Sequence, residues 1–379
     1  MGPINIRFGR VMAGAVAAVL ISAACVLALL RFSGSHRREF VTGLRAVEPA
    51  FLAVAGAIML ASWALEAIRL MVLVSALGDR LTLGRAFRIT LIGGFMAGVT
   101  PFDSGGEPAQ VYMLHRSGVG LGESAAAVTV KGLLNAFARL ALGLAIPLWL
   151  TVTRAGWDWS QGFSLALTTG LAVYVLVLGS LTYLAFNPHH IQSLTSRLEK
   201  HRQLRKLASP EALARWASRL GEVVDAFREG VRRFSRERRT VLYAVGIMAV
   251  LNWVLILMVP AVLLRGLGVR SPWAHAVNVA IVFYLVSAYA PTPGSAGAAE
   301  LGFATLFVRL VPLPFLAVFV FLWRFVTYYL TMLLGGAMVA TEVWKKWGRG
   351  LRLGRPGQLE PRVGPGGGRQ SGKPGGTSP

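Results

Sequence analysis

The chain has few acidic residues and almost no cysteine. Its 379 residues include 17 Asp and Glu against 39 Lys and Arg, and charged residues make up only 15% of the total. Cys25 is the one cysteine, which excludes an intrachain disulfide and a metal site built from several cysteines. The apolar runs hold no metal-ligand spacing such as His-x-x-x-His, and the chain has no phosphate-binding loop of the Walker type. We therefore expect no cofactor, no metal and no catalytic residue set.

Long apolar runs fill most of the sequence. Hydrophobic residues make up 54% of the chain, and the mean hydropathy is +0.57. Several runs reach the roughly 20 residues that a helix needs to cross a bilayer. The pattern predicts an all-α polytopic membrane protein with about six full spans, near 11–30, 49–77, 122–151, 163–186, 240–264 and 313–342. The net charge of +22 lies mainly between the spans and in the tail, which favours anionic lipid over nucleic acid as its partner.

Two stretches rich in helix breakers interrupt the apolar pattern at matching places. Each stretch comes after an apolar helix, contains Pro, small turn residues, Gly and Glu in that order, and leads into a second apolar helix. We predict two broken-helix pairs, with half-helices near 85–100 and 106–117, and near 273–290 and 297–310. The alternative is an ordinary loop between short spans. Paired helix breaks at membrane depth are typical of a transport site, because irregular backbone is tolerated there only where protein or a wet cavity surrounds it.

The distribution of cations predicts the orientation. Residues 188–239 hold 13 Lys and Arg against 6 Asp and Glu, and the tail after the last span holds 8 Lys and Arg. The positive-inside rule places the N-terminus, the 188–239 segment and the C-terminus in the cytoplasm, although the first loop, with four Arg, then falls outside. The second and third spans flank the first broken pair, and the fifth and sixth spans flank the second. These two units of span, broken pair and span would have opposite orientations in the membrane. This is an inverted repeat, with both breaks reaching toward the midplane from opposite faces.

The predicted domains are an integral membrane domain over 1–343 and a basic, Gly- and Pro-rich tail over 344–379, which we expect to be disordered. Residues 188–239 form a cytoplasmic insertion within the membrane domain. An apolar stripe at three- and four-residue steps in this insertion predicts a basic amphipathic helix. It suits the surface of an anionic leaflet, and packing against the protein's own inner face remains an equal alternative.

Two cations lie deep inside predicted spans, where each costs roughly 2.5–3.5 kcal/mol on insertion scales. Lys131 and Arg324 each follow the Glu of their own repeat, Glu107 and Glu300, by 24 residues. The equal spacing predicts a Glu107–Lys131 pair and a Glu300–Arg324 pair, or crossed pairs. The charges are then either structural partners that neutralise one another or residues that bind a substrate.

Further polar residues share these helix faces. Asn135 and Arg139 follow Lys131 by one and two helical turns, and Tyr328 follows Arg324 by one turn. In the second span, Glu66 and Arg69 are three residues apart and can pair with each other.

Both breaks resemble a known family. The resemblance rests on Thr100-Pro101-Phe102-Asp103-Ser104-Gly105-Gly106-Glu107-Pro108 with Tyr112-Met113-Leu114, on Pro291-Thr292-Pro293-Gly294-Ser295-Ala296-Gly297-Ala298-Ala299-Glu300, and on Arg324. These motifs resemble the lysylphosphatidylglycerol synthase transmembrane region, or flippase-like, family over roughly residues 10–342. The resemblance implies a membrane region that moves aminoacylated phospholipid, whereas a separate soluble domain makes that lipid from aminoacyl-tRNA. We expect no such synthase domain here. Many members have Arg where this chain has Gln110.

The sequence therefore predicts a lipid translocase of the cytoplasmic membrane that moves a phospholipid or a lipid-linked head group. Its expected ligands are anionic or aminoacylated phospholipids or polyprenyl-phosphate lipids. A separate synthase or glycosyltransferase is the implied partner, and a homo-oligomer stays open. The alternative is a membrane transferase of the phosphatidylglycerol lysyltransferase type, or a protein accessory to polyprenyl-phosphate glycolipid synthesis. The candidate substrate-binding residues are Asp103, Gly105, Gly106, Glu107, Gln110, Lys131, Asn135, Arg139, Gly294, Gly297, Glu300, Arg324 and Tyr328.

Overall fold

The computed structural model describes residues 8–32, 37–153, 161–186, 239–287 and 291–353. These residues form helices and connecting turns, with no strand among them. The α-helices, in chain order, are α1 (Phe8–Phe32), α2 (Arg37–Ala46), α3 (Pro49–Ala76), α4 (Leu83–Gly98), α5 (Gly106–Arg116), α6 (Leu121–Val152), α7 (Gln161–Phe186), α8 (Arg239–Gly266), α9 (Trp273–Ser287), α10 (Ala298–Phe307), α11 (Leu313–Arg324) and α12 (Leu330–Leu353). The helices up to Val339 form one compact unit, and residues from Ala340 form another.

Five helical stretches are long and apolar enough to cross a membrane. They are Pro49–Ala76, Leu121–Val152, Gly162–Ser180, Arg239–Gly266 and Leu313–Glu342, the last of which joins α11 and α12 through a π-helical segment, Phe325–Tyr329. Helix α1, the remaining predicted span, has a shorter apolar stretch, Val16–Arg31. Length and composition thus confirm the polytopic all-helical class.

The two broken pairs pack at opposite ends of an antiparallel helix pair. Helices α3 and α8 lie side by side, and the backbone N–H of Glu48 before α3 donates to the carbonyl of Gly266 at the end of α8, at 3.0 Å. One apolar cluster joins α4, α5 and the start of α6 to the end of α3 and the start of α8. A second cluster joins α9, α10 and α11 to the start of α3 and the end of α8. This arrangement is the predicted inverted repeat.

The turn that leads into each broken pair has the same backbone in both repeats. Leu77-Gly78-Asp79-Arg80 follows α3, and Leu267-Gly268-Val269-Arg270 follows α8. In each turn the glycine has a positive φ, +96° at Gly78 and +74° at Gly268, which residues with a Cβ rarely adopt. The N–H of the residue after the glycine donates back to a carbonyl of the preceding helix, Val74 in one turn and Leu264 in the other. The repeat therefore extends beyond the breaks themselves.

The breaks also share a backbone conformation. We call residues 100–105 the first break and residues 292–297 the second break. Each begins with an extended Thr and a Pro that opens a single 3-10 turn, Pro101–Asp103 or Pro293–Ser295. Two left-handed residues follow the Pro, Phe102 and Asp103 in the first break and Gly294 and Ser295 in the second. The two 3-10 turns pack against each other, so the two breaks are in contact.

The first loop contains a helix that the sequence did not predict. Residues 37–46 form α2, where we expected only a polar connection. Phe40 packs edge-to-face on Phe321 at 5.8 Å between ring centroids, and Gly43 lies against Val318 of α11. Leu44 packs on the same cluster, so an apolar face hidden among the arginines stabilises this helix. Residues 344–353 of the predicted tail continue α12 as a helix. The rest of the tail, 354–379, and the basic segment over 187–238, with its predicted amphipathic helix, lie outside the described residues.

Candidate functional site

In the second break, a fully buried carboxylate is bound on several sides. Glu300 is 0% exposed, and Arg324 Nε donates to its Oε1 at 2.8 Å. The backbone N–H of Gly297 donates to Oε2 at 2.7 Å. Arg324 Nη2 also donates to the carbonyl of Gly294 at 3.0 Å. The predicted Glu300–Arg324 pair is therefore present, and it joins α11 to the start of α10.

Helix α1 covers this break. Ser22 donates to Glu300 Oε1 and also contacts the hydroxyl of Tyr329. Ala18 packs with Ala296 in one apolar cluster, and Cys25 Sγ lies 3.8 Å from the position that a Cβ on Gly297 would take. This role could not be predicted from the sequence, because a single serine inside an apolar span has no spacing that marks a partner.

The π-helical segment Phe325–Tyr329 aims two neighbouring tyrosines at different groups. Tyr328 donates from its hydroxyl to the carbonyl of Gly98 at 2.9 Å, and the Arg324 guanidinium lies 4.4 Å from its ring centroid. Tyr329 contacts Ser22 instead. One extra residue in the turn changes the direction of the side chains that follow, and such segments are frequent at functional sites. Tyr328 thereby connects Arg324 to α4, the half-helix that precedes the first break.

In the first repeat, Lys131 does not pair with Glu107, and this prediction is wrong. Lys131 Nζ lies 3.1 Å from Glu66 Oε2 and donates to Gln110 Oε1 at 2.8 Å. Equal spacing within the repeats does not fix the partner, because α3 brings a second carboxylate to Lys131. The second partner of Lys131 is Gln110, which lies one turn after Glu107 on α5.

Arg69 completes this polar cluster between α3 and α6. It donates to Glu66, as the spacing predicts, and to the carbonyl of Lys131 at 3.2 Å. It also donates to Asn135 Oδ1 at 3.4 Å. On the other side, Asn252 of α8 donates to Glu66 Oε1 at 3.2 Å. The predicted site residues Gln110, Lys131 and Asn135 therefore belong to one network centred on Glu66.

The carboxylates of the first break have a different environment. Asp103 and Glu107 are exposed, and neither makes a hydrogen bond or an ion pair within the part of the chain that the structure describes. Arg139 and Arg324 act electrostatically on Asp103, and Lys131 acts on Glu107. Oε1 of Glu107 lies only 2.4 Å from the position that a Cβ on Gly132 would take. The absence of a side chain at Gly132 on α6 therefore leaves space for this carboxylate.

The candidate glycines Gly105, Gly106 and Gly297 make their contacts within the chain itself. The N–H of Gly105 donates to Thr100 Oγ1 at 2.8 Å, and that of Gly297 donates to Glu300. A Cβ on Gly106 would lie 3.0 Å from Ala97 and 3.1 Å from the carbonyl of Gly93. These positions permit tight packing of the half-helices.

Arg139 stands apart from both polar clusters. Its guanidinium lies 4.4 Å from the ring centroid of Trp253 and 5.5 Å from that of Tyr174, and Nη1 donates to the carbonyl of Tyr284 at 3.5 Å. No carboxylate pairs with it among the described residues, and its Nε is buried without a hydrogen-bond acceptor. Within the same residues, no group of three or more His, Cys, Asp or Glu side chains could hold a metal ion.

The fold and this set of polar side chains define a multi-pass integral membrane protein with two broken-helix pairs in an inverted repeat. The family described as lysylphosphatidylglycerol synthase TM region matches residues 15–335, and the chain belongs to that family. A UPF0104 membrane protein from Archaeoglobus fulgidus is 26% identical over 323 residues, which cover 85% of this chain and 94% of the relative. No solved structure matches the chain.

Proposed function

We propose that this protein is a lipid translocase, which moves a phospholipid or a lipid-linked head group across the membrane. The observation that carries the proposal is the first break, where Asp103 and Glu107 are exposed and have no partner among the described residues. Both carboxylates belong to a break between two half-helices of the predicted membrane domain, where ionised groups are expensive and normally pair with each other. Carboxylates without such a partner next to a break in a helix are best explained by a ligand that supplies the missing charge.

The repeat architecture supports transport. Many secondary transporters bind their substrate where the broken helices of two inverted repeats meet. Here the two 3-10 turns pack against each other, and Tyr328 connects Arg324 of one repeat to Gly98 of the other. A movement of one repeat relative to the other would therefore change the contacts at both breaks.

The chemistry of the charged groups fits a lipid head group. Carboxylates bind ammonium groups, and cations bind phosphate. The family name adds that aminoacyl-phosphatidylglycerol belongs in the first panel of candidate lipids. A separate synthase or glycosyltransferase would supply such a lipid, and we propose it as the partner.

The test is reconstitution into vesicles with labelled phosphatidylglycerol, aminoacyl-phosphatidylglycerol and polyprenyl-phosphate lipid. We expect the wild-type protein to move at least one of them faster than protein-free vesicles do. Glu107→Gln should slow this movement, whereas Asp79→Asn, a carboxylate in the turn after α3, should not. No movement of any lipid in the panel, or equal losses in the two variants, would contradict the proposal.

We also propose that the N-terminus, the 188–239 segment and the C-terminus face the cytoplasm. The support is the excess of Lys and Arg over Asp and Glu in the segment and the tail. Single cysteines at Thr195 and Ser160, introduced with Cys25→Ala, should be labelled from the cytoplasmic and the outer side respectively. Labelling of position 195 from outside would contradict the proposed orientation.

A further inference from the structure

We infer that Arg139 binds the phosphate group of the lipid, at a site formed by the aromatic rings of Tyr174 and Trp253 and the backbone of Tyr284. This inference rests on the proposed function and names one contact within it. Three of the candidate substrate-binding residues are cations, namely Lys131, Arg139 and Arg324. The structure separates them by their partners.

Two of the three cations already contact a carboxylate, although Lys131 shares Glu66 with Arg69. Lys131 lies 3.1 Å from Glu66, and Arg324 lies 2.8 Å from Glu300. A phosphate at either position would have to displace a carboxylate or stand beside it, and like charges at close range oppose binding. Arg139 forms no ion pair among the described residues, and the carboxylate that acts on it, the exposed Asp103, does so without direct contact, so the guanidinium is more available to an anion than the other two cations are.

The aromatic groups hold the guanidinium without neutralising it. A cation over a ring face is attracted by the ring quadrupole and keeps its formal charge. The planar guanidinium then presents its N–H edge to other groups, a geometry suited to bidentate binding of phosphate. The Trp253 contact at 4.4 Å is the closer of the two ring contacts.

The rings are fixed by hydrogen bonds to the helix that carries Arg139. Trp253 Nε1 donates to the carbonyl of Asn135 at 3.1 Å, and the Tyr174 hydroxyl donates to the carbonyl of Ala136 at 3.2 Å. Both carbonyls lie about one turn before Arg139 on α6. Trp253 also packs edge-to-face on Tyr284 at 5.3 Å. Three helices, α7, α8 and α9, thus preorganise one arginine on a fourth.

One donor of Arg139 lacks an acceptor. Its Nε is buried with no hydrogen-bond partner, and its Nη1 donates only a long bond of 3.5 Å to Tyr284. Buried donors without acceptors are rare in native structures. Arg69 Nε is also buried without an acceptor, so this feature supports the site at Arg139 only together with the missing ion pair. A phosphate that binds through Nε and one Nη would supply two acceptors at once. Asp103 lies within the electrostatic reach of Arg139, so the bound phosphate would adjoin the first break.

Native mass spectrometry of the purified protein in detergent measures this binding without requiring transport. The probes are phosphatidylglycerol and a neutral glycolipid with the same acyl chains. We expect Arg139→Gln to lower retention of phosphatidylglycerol about tenfold to a hundredfold, as the loss of charge-assisted hydrogen bonds implies, and to leave the glycolipid unchanged. Arg139→Lys keeps the charge without the fork and should give an intermediate loss.

Arg265 offers a matched control. It lies 5.8 Å from the ring of Trp273 and donates to the carbonyl of Ser271 at 3.5 Å, but it is at the end of α8 and away from the breaks. Arg265→Gln should bind phosphatidylglycerol as the wild type does. A melting temperature for each variant separates a binding defect from misfolding, and Arg139→Lys keeps the test usable if Arg139→Gln does not fold.

Wild-type retention of phosphatidylglycerol by Arg139→Gln, or an equal loss of the glycolipid, would overturn the assignment. Displacement of the lipid by inorganic phosphate at comparable concentration would also overturn it, because the ligand would then be free phosphate. In the vesicle assay, a wild-type protein that moves no lipid refutes the proposed function. Normal movement of phospholipid by Arg139→Gln refutes only the role of Arg139.

Discussion

The two breaks share a backbone conformation, but their glutamates differ in the groups that surround them. Each has an extended Thr, a Pro and two left-handed residues before the following half-helix. In the second break, Glu300 is bound by Arg324, by Ser22 of α1 and by the N–H of Gly297. In the first, Glu107 has no hydrogen bond or ion pair among the described residues.

The difference shows that a repeated motif need not have a repeated role. The cation that should neutralise Glu107 is drawn to Glu66 and Gln110, and this leaves the first carboxylate accessible. Helix α1 adds a partner to the second break alone. We therefore assign stability to the charges of the second break and ligand binding to those of the first, and each prediction below compares the two.

The largest expected effect is on the second break. Glu300→Gln and Arg324→Met should each lower the free energy of unfolding by about 3–5 kcal/mol, because each leaves a buried charge without its partner. The double variant should recover most of this loss. Chemical unfolding in detergent measures all three proteins, and in the vesicle assay lipid movement should recover together with stability in the double variant.

A double variant no more stable than the weaker single variant would contradict the pairing. Lipid movement that stays lost in a double variant of recovered stability would instead give this pair a role in transport. The matching double variant in the first repeat combines substitutions at Glu66 and Lys131, since these residues are in contact. Arg69 would remain beside them, so we expect a smaller recovery there.

Ser22→Ala tests the contribution of α1. It removes the hydrogen bond from Ser22 to Glu300, and hydrogen bonds to charged groups contribute about 1.5–3 kcal/mol. We expect a loss of unfolding free energy in that range. Ser180 on α7 is exposed and bonds only to the carbonyl of Leu176, so Ser180→Ala is the control and should change little. Equal stability of the two variants would show that α1 does not stabilise the break.

The left-handed residues predict stability changes of opposite sign in the two breaks. Gly294 has φ +58°, and a Cβ there would lie 2.5 Å from the Tyr328 hydroxyl, so Gly294→Ala should destabilise the protein by about 1–2 kcal/mol. Phe102 has φ +55° and is exposed, so Phe102→Gly should stabilise it by about 1 kcal/mol through relief of the same strain. Melting temperatures that shift in the same direction for both variants would contradict the shared backbone.

The sequence predicted the repeat but not its asymmetry. Pro101, Pro293 and the glycines near them mark the breaks, because each imposes a local backbone constraint that a single sequence displays. The Glu300–Arg324 pair follows from spacing. The partner of Lys131 does not, since it depends on how α3 packs against α6, and the role of Ser22 depends on where α1 lies. These are tertiary contacts between distant segments, which local pattern cannot encode.

The smallest expected effect on stability is at Glu107. Because this carboxylate is exposed and has no partner among the described residues, Glu107→Gln should change the free energy of unfolding by no more than about 0.5 kcal/mol. It should nevertheless slow lipid movement, whereas Glu300→Gln should lower both stability and movement. Gly132→Ala offers a matched test, since its new Cβ would stand 2.4 Å from the present position of Glu107 Oε1 and displace the carboxylate without removing its charge. We expect Gly132→Ala to slow movement less than Glu107→Gln does. If Glu107→Gln instead destabilises the protein as much as Glu300→Gln, the first carboxylate has a structural partner after all, and the division of roles between the two breaks fails.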